Sequence, residues 1–250
     1  MGTSVQNKKI LITGASSGIG AELARSLARR GHHLALTARR LPALQALAEE
    51  LRPLRVQVEV AALDVCDLDA VPSTLQGLIN SLGGLDIAIA NAGIVAVNRT
   101  GSGRLDLDQK VMQTNYLGAI ATLDAATAHF KQQGYGRLVG MSSIAAWLPI
   151  AGSGSYCASK AALTAWLNAA RLELAAHKIS VLSIHPGFIN TEFAKNMDRY
   201  PFVISATSAA ETMAPEILGS RESLIVPRWP WQVLVPVAEK LPAKWLQRFF

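Results

Sequence analysis

Residues 9–30 read KILITGASSGIGAELARSLARR. Lys9–Thr13 is a short apolar run of β type. Ile19–Arg30 places its apolar residues at helical spacing until Gly31 stops it. The turn between them is Thr13-Gly14-Ala15-Ser16-Ser17-Gly18-Ile19-Gly20. Glycines at a strand-to-helix turn let the backbone approach a pyrophosphate, and the helix N-terminus offers unpaired N–H groups and a positive dipole end. The spacing is Gly-x3-Gly-x-Gly, not the Gly-x-Gly-x-x-Gly of the common dinucleotide fingerprint. A tight turn without a ligand would use the same glycines, so residues further along must decide.

The alternation continues outward. Leu34–Thr37 precedes a helical stretch at Pro42–Leu51, Val56–Leu63 precedes Leu68–Leu82, and Asp86–Ala90 precedes Gln109–Gln132. Arg137–Met141 precedes Tyr156–His177, then come Ser180–Ile184 and a last strand at Glu222–Val226. The strand-like runs are apolar on both faces, as strands covered by helices on both sides are. The expected fold is α/β: one domain with a doubly wound, Rossmann-like parallel sheet of about seven strands and helices on both faces. Residues 1–222 make up the body of the domain. Residues 223–250 add the last strand and an aromatic, basic tail of the same domain.

Composition agrees. The chain has 250 residues, 50% hydrophobic and 17% charged, enough for a sizeable core and too apolar for disorder. Two cysteines make no disulfide scaffold and suit a reducing compartment. No pattern of metal ligands stands out. The net charge of +6 permits an anionic partner. The basic residues are scattered without interleaved aromatics, which argues against nucleic acid. No apolar run reaches about 20 residues, so no membrane span is expected. The expected location is the cytoplasm, with peripheral contact at a membrane surface as the alternative.

The second strand ends Leu36-Thr37-Ala38-Arg39-Arg40. A site for NAD keeps a carboxylate near this point for the ribose 2′-OH. Two guanidiniums stand here instead, suited by charge and fork geometry to a 2′-phosphate, and Arg39 is the better placed. Asp64 closes the third strand and could accept from an adenine amino group or cap the helix that follows. Asn91-Ala92-Gly93 ends the fourth strand with residues small enough for a close ligand.

Tyr156 and Lys160 stand i, i+4 at the start of a helix and share a face. A phenol titrates near pH 10, and a neighbouring ammonium draws it toward the working range of an acid–base catalyst. Ser143 ends the fifth strand, on the sheet edge where ligands bind, and could hold a carbonyl oxygen beside the tyrosine. Asn115 is a poor residue for mid-helix, pointing to a kink or a buried polar contact.

Together Thr13-Gly-x3-Gly-Ile-Gly20, Asn91-Ala-Gly93, Asn115, Ser143, Tyr156-x3-Lys160 and Pro186-Gly187 resemble the short-chain dehydrogenase/reductase family over about residues 8–192. The resemblance implies that Tyr156 is the general acid and Lys160 lowers its pKa and holds the nicotinamide ribose. Ser143 would polarise the carbonyl, and Asn115 would hold a water linking Lys160 to solvent. Gly14, Gly18 and Gly20, with Ser16, Ser17 and Ile19 in the same loop, would take the pyrophosphate. Asn91, with Ala92 and Gly93, would take the adenosine side. Pro186, Gly187, Ile189 and Thr191 would meet the nicotinamide carboxamide. Arg39 implies NADP(H). Ala90 and Ser17 depart from the pattern, where members often carry Asn and a basic residue, and leave Arg39 and Arg40 to carry the phosphate preference.

The activity implied is NADPH-dependent reduction of a ketone or aldehyde. Ala145, Trp147, Leu148, Ile150, Phe188 and Phe193 suggest an apolar pocket and a lipophilic substrate. A nucleotide-binding regulator without turnover would have no need of the full catalytic set. A sugar-nucleotide epimerase would need a larger second domain, and a methyltransferase would have no use for Tyr-x3-Lys. The family is commonly dimeric or tetrameric through the helices holding Asn115 and Tyr156. The C-terminal segment carries three of the five tryptophans among basic residues and prolines. Packing over the pocket or in a subunit interface is the simpler reading of it, and a membrane-surface anchor the other.

Overall fold

Alternate residues of each central strand face opposite layers, and both layers are apolar. Ile10 and Ile12 of β1 (Lys9–Thr13) point into one core and Leu11 into the other. The same holds in β2 (His33–Ala38), β4 (Ile87–Ala90), β5 (Gly136–Met141) and β6 (Ile179–Pro186). With β3 (Val58–Ala62) and, last in the sheet, Ser223–Val226, they form one sheet in which every neighbouring pair is parallel. The computed structural model describes residues 7–192, 200–238 and 244.

Helices α1 (Gly18–Arg29) and α2 (Leu41–Leu51) cover the first face, through Leu23, Leu27, Leu44 and Leu47. Helix α3 (Ala70–Leu82) and the long helices after β4 and β5 cover the second, through Leu75, Leu123, Phe130, Leu163 and Leu167. The sheet order is β3-β2-β1-β4-β5-β6, followed by Ser223–Val226. From β1 the chain winds outward to β3, then returns to β4 and winds the other way. Beyond the carboxyl ends of β1 and β4 the connecting loops therefore part and leave a crevice.

Three departures from the sequence reading matter. The stretch read as one helix from Gln109 begins earlier and is interrupted. Helix α4 (Leu105–Met112) leads into a π turn (Gln113–Leu117) and then α5 (Gly118–Gln133). Next, α6 (Gly154–Leu174) and the short strands β7 (Ile189–Asn190) and β8 (Ile204–Ser205) are followed by α7 (Ala206–Leu218), which the sequence reading lacked. Pro215 inside it hides the periodicity, while the Ser205 hydroxyl caps it by accepting from Ser208 N. Finally, β9 (Ser223–Val226) runs into α8 (Arg228–Ala238), part of what reads as a tail. Trp231 of α8 is 1% exposed. Among the described residues no helix is long and apolar enough to cross a membrane.

Candidate active site

The crevice is a cleft of about 640 Å³ along the carboxyl edge of the sheet. Its first wall is the turn after β1. Thr13 Oγ1 accepts from Asn91 N (3.1 Å) and Ala92 N (3.2 Å), and the Asn91 side chain donates to the carbonyls of Thr13 (3.0 Å) and Gly14 (3.2 Å). These bonds tie the β1 turn to the end of β4. The turn then has no room for side chains at two positions. A Cβ on Gly20 would lie 2.4 Å from the Gly14 carbonyl oxygen, and one on Gly14 2.7 Å from Ala92 Cα. Gly14 and Gly18 also hold positive φ (+69° and +57°). Helix α1 starts without a side-chain cap and without an acidic residue in its first turn. Its positive end thus faces the cleft uncompensated, as an anion site requires.

Arg40 reaches across this loop, donating to Ser17 Oγ (2.7 Å) and Ser16 Oγ (3.2 Å). Arg39 points toward Asp64, 4.0 Å away. Asp64 is not the cap of α3. Its carboxylate accepts from Cys66 N (3.0 Å), and Asp67 instead accepts from Ala70 N at the helix start. Gly14, Ser16, Ser17, Gly18, Ile19, Gly20, Arg39, Arg40, Asp64, Asn91, Ala92 and Gly93 all line the cleft.

The other end is built by β5 and α6. Ser142 donates to the Lys160 carbonyl (3.0 Å), pinning the first turns of α6 to the strand end. Lys160 is almost fully buried. Its ammonium donates to the Met141 carbonyl (2.7 Å) and lies 5.8 Å from the centre of the Tyr156 ring. Burial pushes the Lys160 ammonium down to about 8. Burial pushes the Tyr156 phenol up, while a hydrogen bond with Ser143 pulls it back. The lowering of the phenol expected from the Lys160 ammonium is not what the fold shows, because burial outweighs it. Ser143 Oγ donates to the Pro186 carbonyl (3.3 Å) and accepts from Ala145 N (3.1 Å).

Asn115 lies in the π turn and is fully buried. Its Oδ1 accepts from Ile94 N (2.7 Å), and its Nδ2 donates to the Ile94 carbonyl (2.9 Å) and to Ser159 Oγ (3.2 Å). Ser159 in turn donates to the Tyr156 carbonyl (2.7 Å). Both amide hydrogens are thus engaged by protein, and the side chain acts as a strut between the β4 loop and α6. The π turn supplies the kink that the sequence suggested, at a position where such turns accompany function.

His185, absent from the sequence reading, backs the site. It is buried, its Nδ1 lies 3.4 Å from the Ser143 carbonyl, and burial pushes its imidazole down to about 4. Only its place beside Pro186 could have drawn attention to it. Val95 and Val97, also unread, line the mouth, with Ile94, Ile150 and Tyr200 further along the cleft.

Pro186, Gly187, Phe188, Ile189 and Thr191 line the cleft as expected. Ala145, Trp147 and Leu148 do not. The turn Ile144–Ala146 folds Ala145 inward, and Trp147 packs at a tilt against His185 (4.2 Å between centroids). Phe188 stacks on Tyr200 (4.2 Å) and meets the edge of Trp231 (5.5 Å). Trp231 packs so closely under Gly187 that a Cβ there would sit 2.5 Å from its indole nitrogen. Phe193 lies outside the described residues.

The family model for short chain dehydrogenases matches residues 8–200. The chain belongs to that family. An uncharacterized oxidoreductase of Mycobacterium tuberculosis is 36% identical over 250 residues, 99% of each chain. Another, from Myxococcus xanthus, is 38% identical over 93% of this chain and 92% of its own. Among solved structures, an alcohol dehydrogenase from the archaeon Thermococcus sibiricus complexed with 5-hydroxy-NADP has a TM-score of 0.81 at 27% identity. That likeness covers 88% of this chain and 96% of the other. This short-chain dehydrogenase is therefore an oxidoreductase of a family that uses a nicotinamide cofactor. The cradle fits such a group, because glycines at positions 14, 18 and 20 and the uncompensated α1 terminus leave room and charge for a pyrophosphate.

Proposed function

We propose that this protein is an NADPH-dependent carbonyl reductase, reversibly an alcohol dehydrogenase, acting on a lipophilic ketone or aldehyde. The observation that carries the reading is the convergence of Ser143, Tyr156 and Lys160 at one end of a cleft whose other end holds Arg39 and Arg40. The preference for NADPH rests on those two guanidiniums and on the lack of an acid at the end of β2. The Thermococcus sibiricus relative, complexed with an NADP derivative, supports it.

Each end of the cleft has its task. Gly14, Gly18 and Gly20, with the N–H groups from Ser16 to Ile19, bind the pyrophosphate. Arg39 and Arg40 bind the 2′-phosphate, Asp64 and Asn91 to Gly93 the adenosine, and Pro186, Gly187, Ile189 and Thr191 the carboxamide. When bound, the nicotinamide supplies the hydride. Ser143 Oγ donates to the substrate carbonyl oxygen and fixes it beside Tyr156. Tyr156 Oη gives that oxygen its proton as the carbonyl becomes an alcohol, and takes it back in the reverse direction. The Lys160 ammonium stabilises the phenolate so formed and binds the nicotinamide ribose. Asn115 holds α6, and with it Tyr156, against the β4 loop, and retains an oxygen lone pair for a water. Ile94, Val95, Val97, Ile150, Phe188 and Tyr200 make the substrate end apolar.

The exposed faces of the Asn115 and Tyr156 helices, with Leu117 and Leu172 on their surfaces, suit a homodimer or homotetramer. The test is cofactor oxidation by the full chain, NADPH against NADH, on carbonyl compounds from small polar ketones to long-chain β-keto esters. Turnover with NADPH that rises with chain length and vanishes in Tyr156→Phe is expected. NADPH binding without turnover on any carbonyl would sink the reading.

A further inference from the structure

The inner side of α8 is accounted for. Trp231 and Val235 pack with Ile144, Leu148 and Phe188 into a small core behind the substrate end of the cleft. The outer side is not. Trp229 is 76% exposed, and Val233 and Val237, one turn apart, are 52% and 51% exposed, with Leu234 beside them. Phe202, half-exposed, meets the edge of Trp231. Large apolar side chains are thus gathered on and beside the outer side of α8, and a patch of that kind marks an interaction surface.

Charge identifies the partner. Helix α8 holds no acidic residue. In the sequence, Trp229, Val233 and Val237 recur at four-residue steps as Leu241, Trp245 and Phe249. Each of these last three follows a basic residue, Lys240, Lys244 or Arg248, with Glu239 the one acid from Arg228 to the end. Arg228 pairs with Glu216 (2.5 Å), a carboxylate it shares with Arg221. Tryptophan and aliphatic residues with lysine and arginine alongside are the composition of a segment that lies in the interface of an anionic bilayer. Two copies meeting across this surface would oppose like charges, whereas an anionic headgroup layer compensates them.

We propose that the outer face of α8, with the basic and aromatic residues that follow it in the sequence, seats the protein on an anionic lipid surface. The inference does not depend on the reaction catalysed.

The test floats the full chain with vesicles of phosphatidylcholine alone and of phosphatidylcholine with phosphatidylserine. Flotation with the anionic vesicles only, reversed by salt, is expected. Each basic residue near such a surface contributes about a fivefold gain in partitioning, so Lys240→Gln/Lys244→Gln/Arg248→Gln should weaken binding on the order of a hundredfold. Trp229→Glu/Val233→Glu should abolish it. Both variants alter exposed or terminal positions, and unchanged melting of each shows that the fold is intact. Failure to float, equal flotation on phosphatidylcholine alone, or flotation unaffected by either variant overturns the proposal. So does a wild type that ignores vesicles but is a larger particle in solution than the Trp229→Glu/Val233→Glu variant, because a second copy then covers this face.

Discussion

Replacing Lys160 by methionine should abolish turnover and yet stabilise the fold at neutral pH. Lys160 is 4% exposed, and burial draws its ammonium from an ordinary value of 10.5 down to about 8. A tenfold change in proton affinity corresponds to about 1.4 kcal/mol, so keeping this group charged inside the folded protein costs about 3 kcal/mol near pH 7. Methionine fills a similar space without the charge. It forgoes the hydrogen bond to the Met141 carbonyl, an offset of about 1 kcal/mol, which leaves a net gain of about 2 kcal/mol. For a chain of this size that raises the Tm by about 5 °C. The pH dependence separates this cause from others. The folded value lies below the unfolded one, so the unfolded chain binds more protons, and wild-type stability from this group rises as pH climbs from about 8 toward 10.5. The variant lacks that contribution, so its advantage should fall below about 1 kcal/mol near pH 10. Denaturant unfolding of both proteins at the two pH values measures the gap. A variant less stable than wild type at pH 7, or a gap unchanged by pH, would refute the reasoning.

Three other perturbations have defined outcomes. Arg39→Ala/Arg40→Ala should raise KM for NADPH by about 10–100-fold and leave NADH unaffected, as read by initial rates with each cofactor. Gly20→Ala should force its Cβ against the Gly14 carbonyl at 2.4 Å; the resulting shift costs about 1–3 kcal/mol and should weaken cofactor binding, measured by fluorescence titration, by at least about tenfold. Trp231→Ala should empty the core behind Gly187 and cost about 3–5 kcal/mol in thermal unfolding, and should raise KM for substrate more than KM for cofactor.

The sheet was legible because parallel strands covered on both sides are apolar on both sides, and most of the strands ended close to a Gly, an Asn or a charge. The candidate catalytic group was legible as chemistry, a phenol, an ammonium and a hydroxyl that the fold brings to one end of the cleft. Helices α7 and α8 were not, because Pro215 and Pro236 break a periodicity that tertiary packing restores. The pocket wall was the least legible part. Trp147 follows Ser143 closely in sequence, but the turn Ile144–Ala146 sends it against His185. Val95 and Val97 lie in a loop without motif or period, and only the folded chain brings them to the mouth.

The π turn at Gln113–Leu117 has a consequence for the chain's tolerance of length change. Such a turn is an ordinary helix holding one surplus residue, with the segments on either side in phase with different surroundings. Removing that residue would give a more regular hydrogen-bond ladder and a worse protein. Everything from Leu105 to Met112 would swing by about 100° against α5, the angle of a single helical step. Buried Val111 would turn outward while Leu123 and Phe130 kept their seats. At this point the irregular backbone acts as the alignment device between two halves of a rod, and a deletion that tidies the helix would put Asn115 out of reach of Ile94.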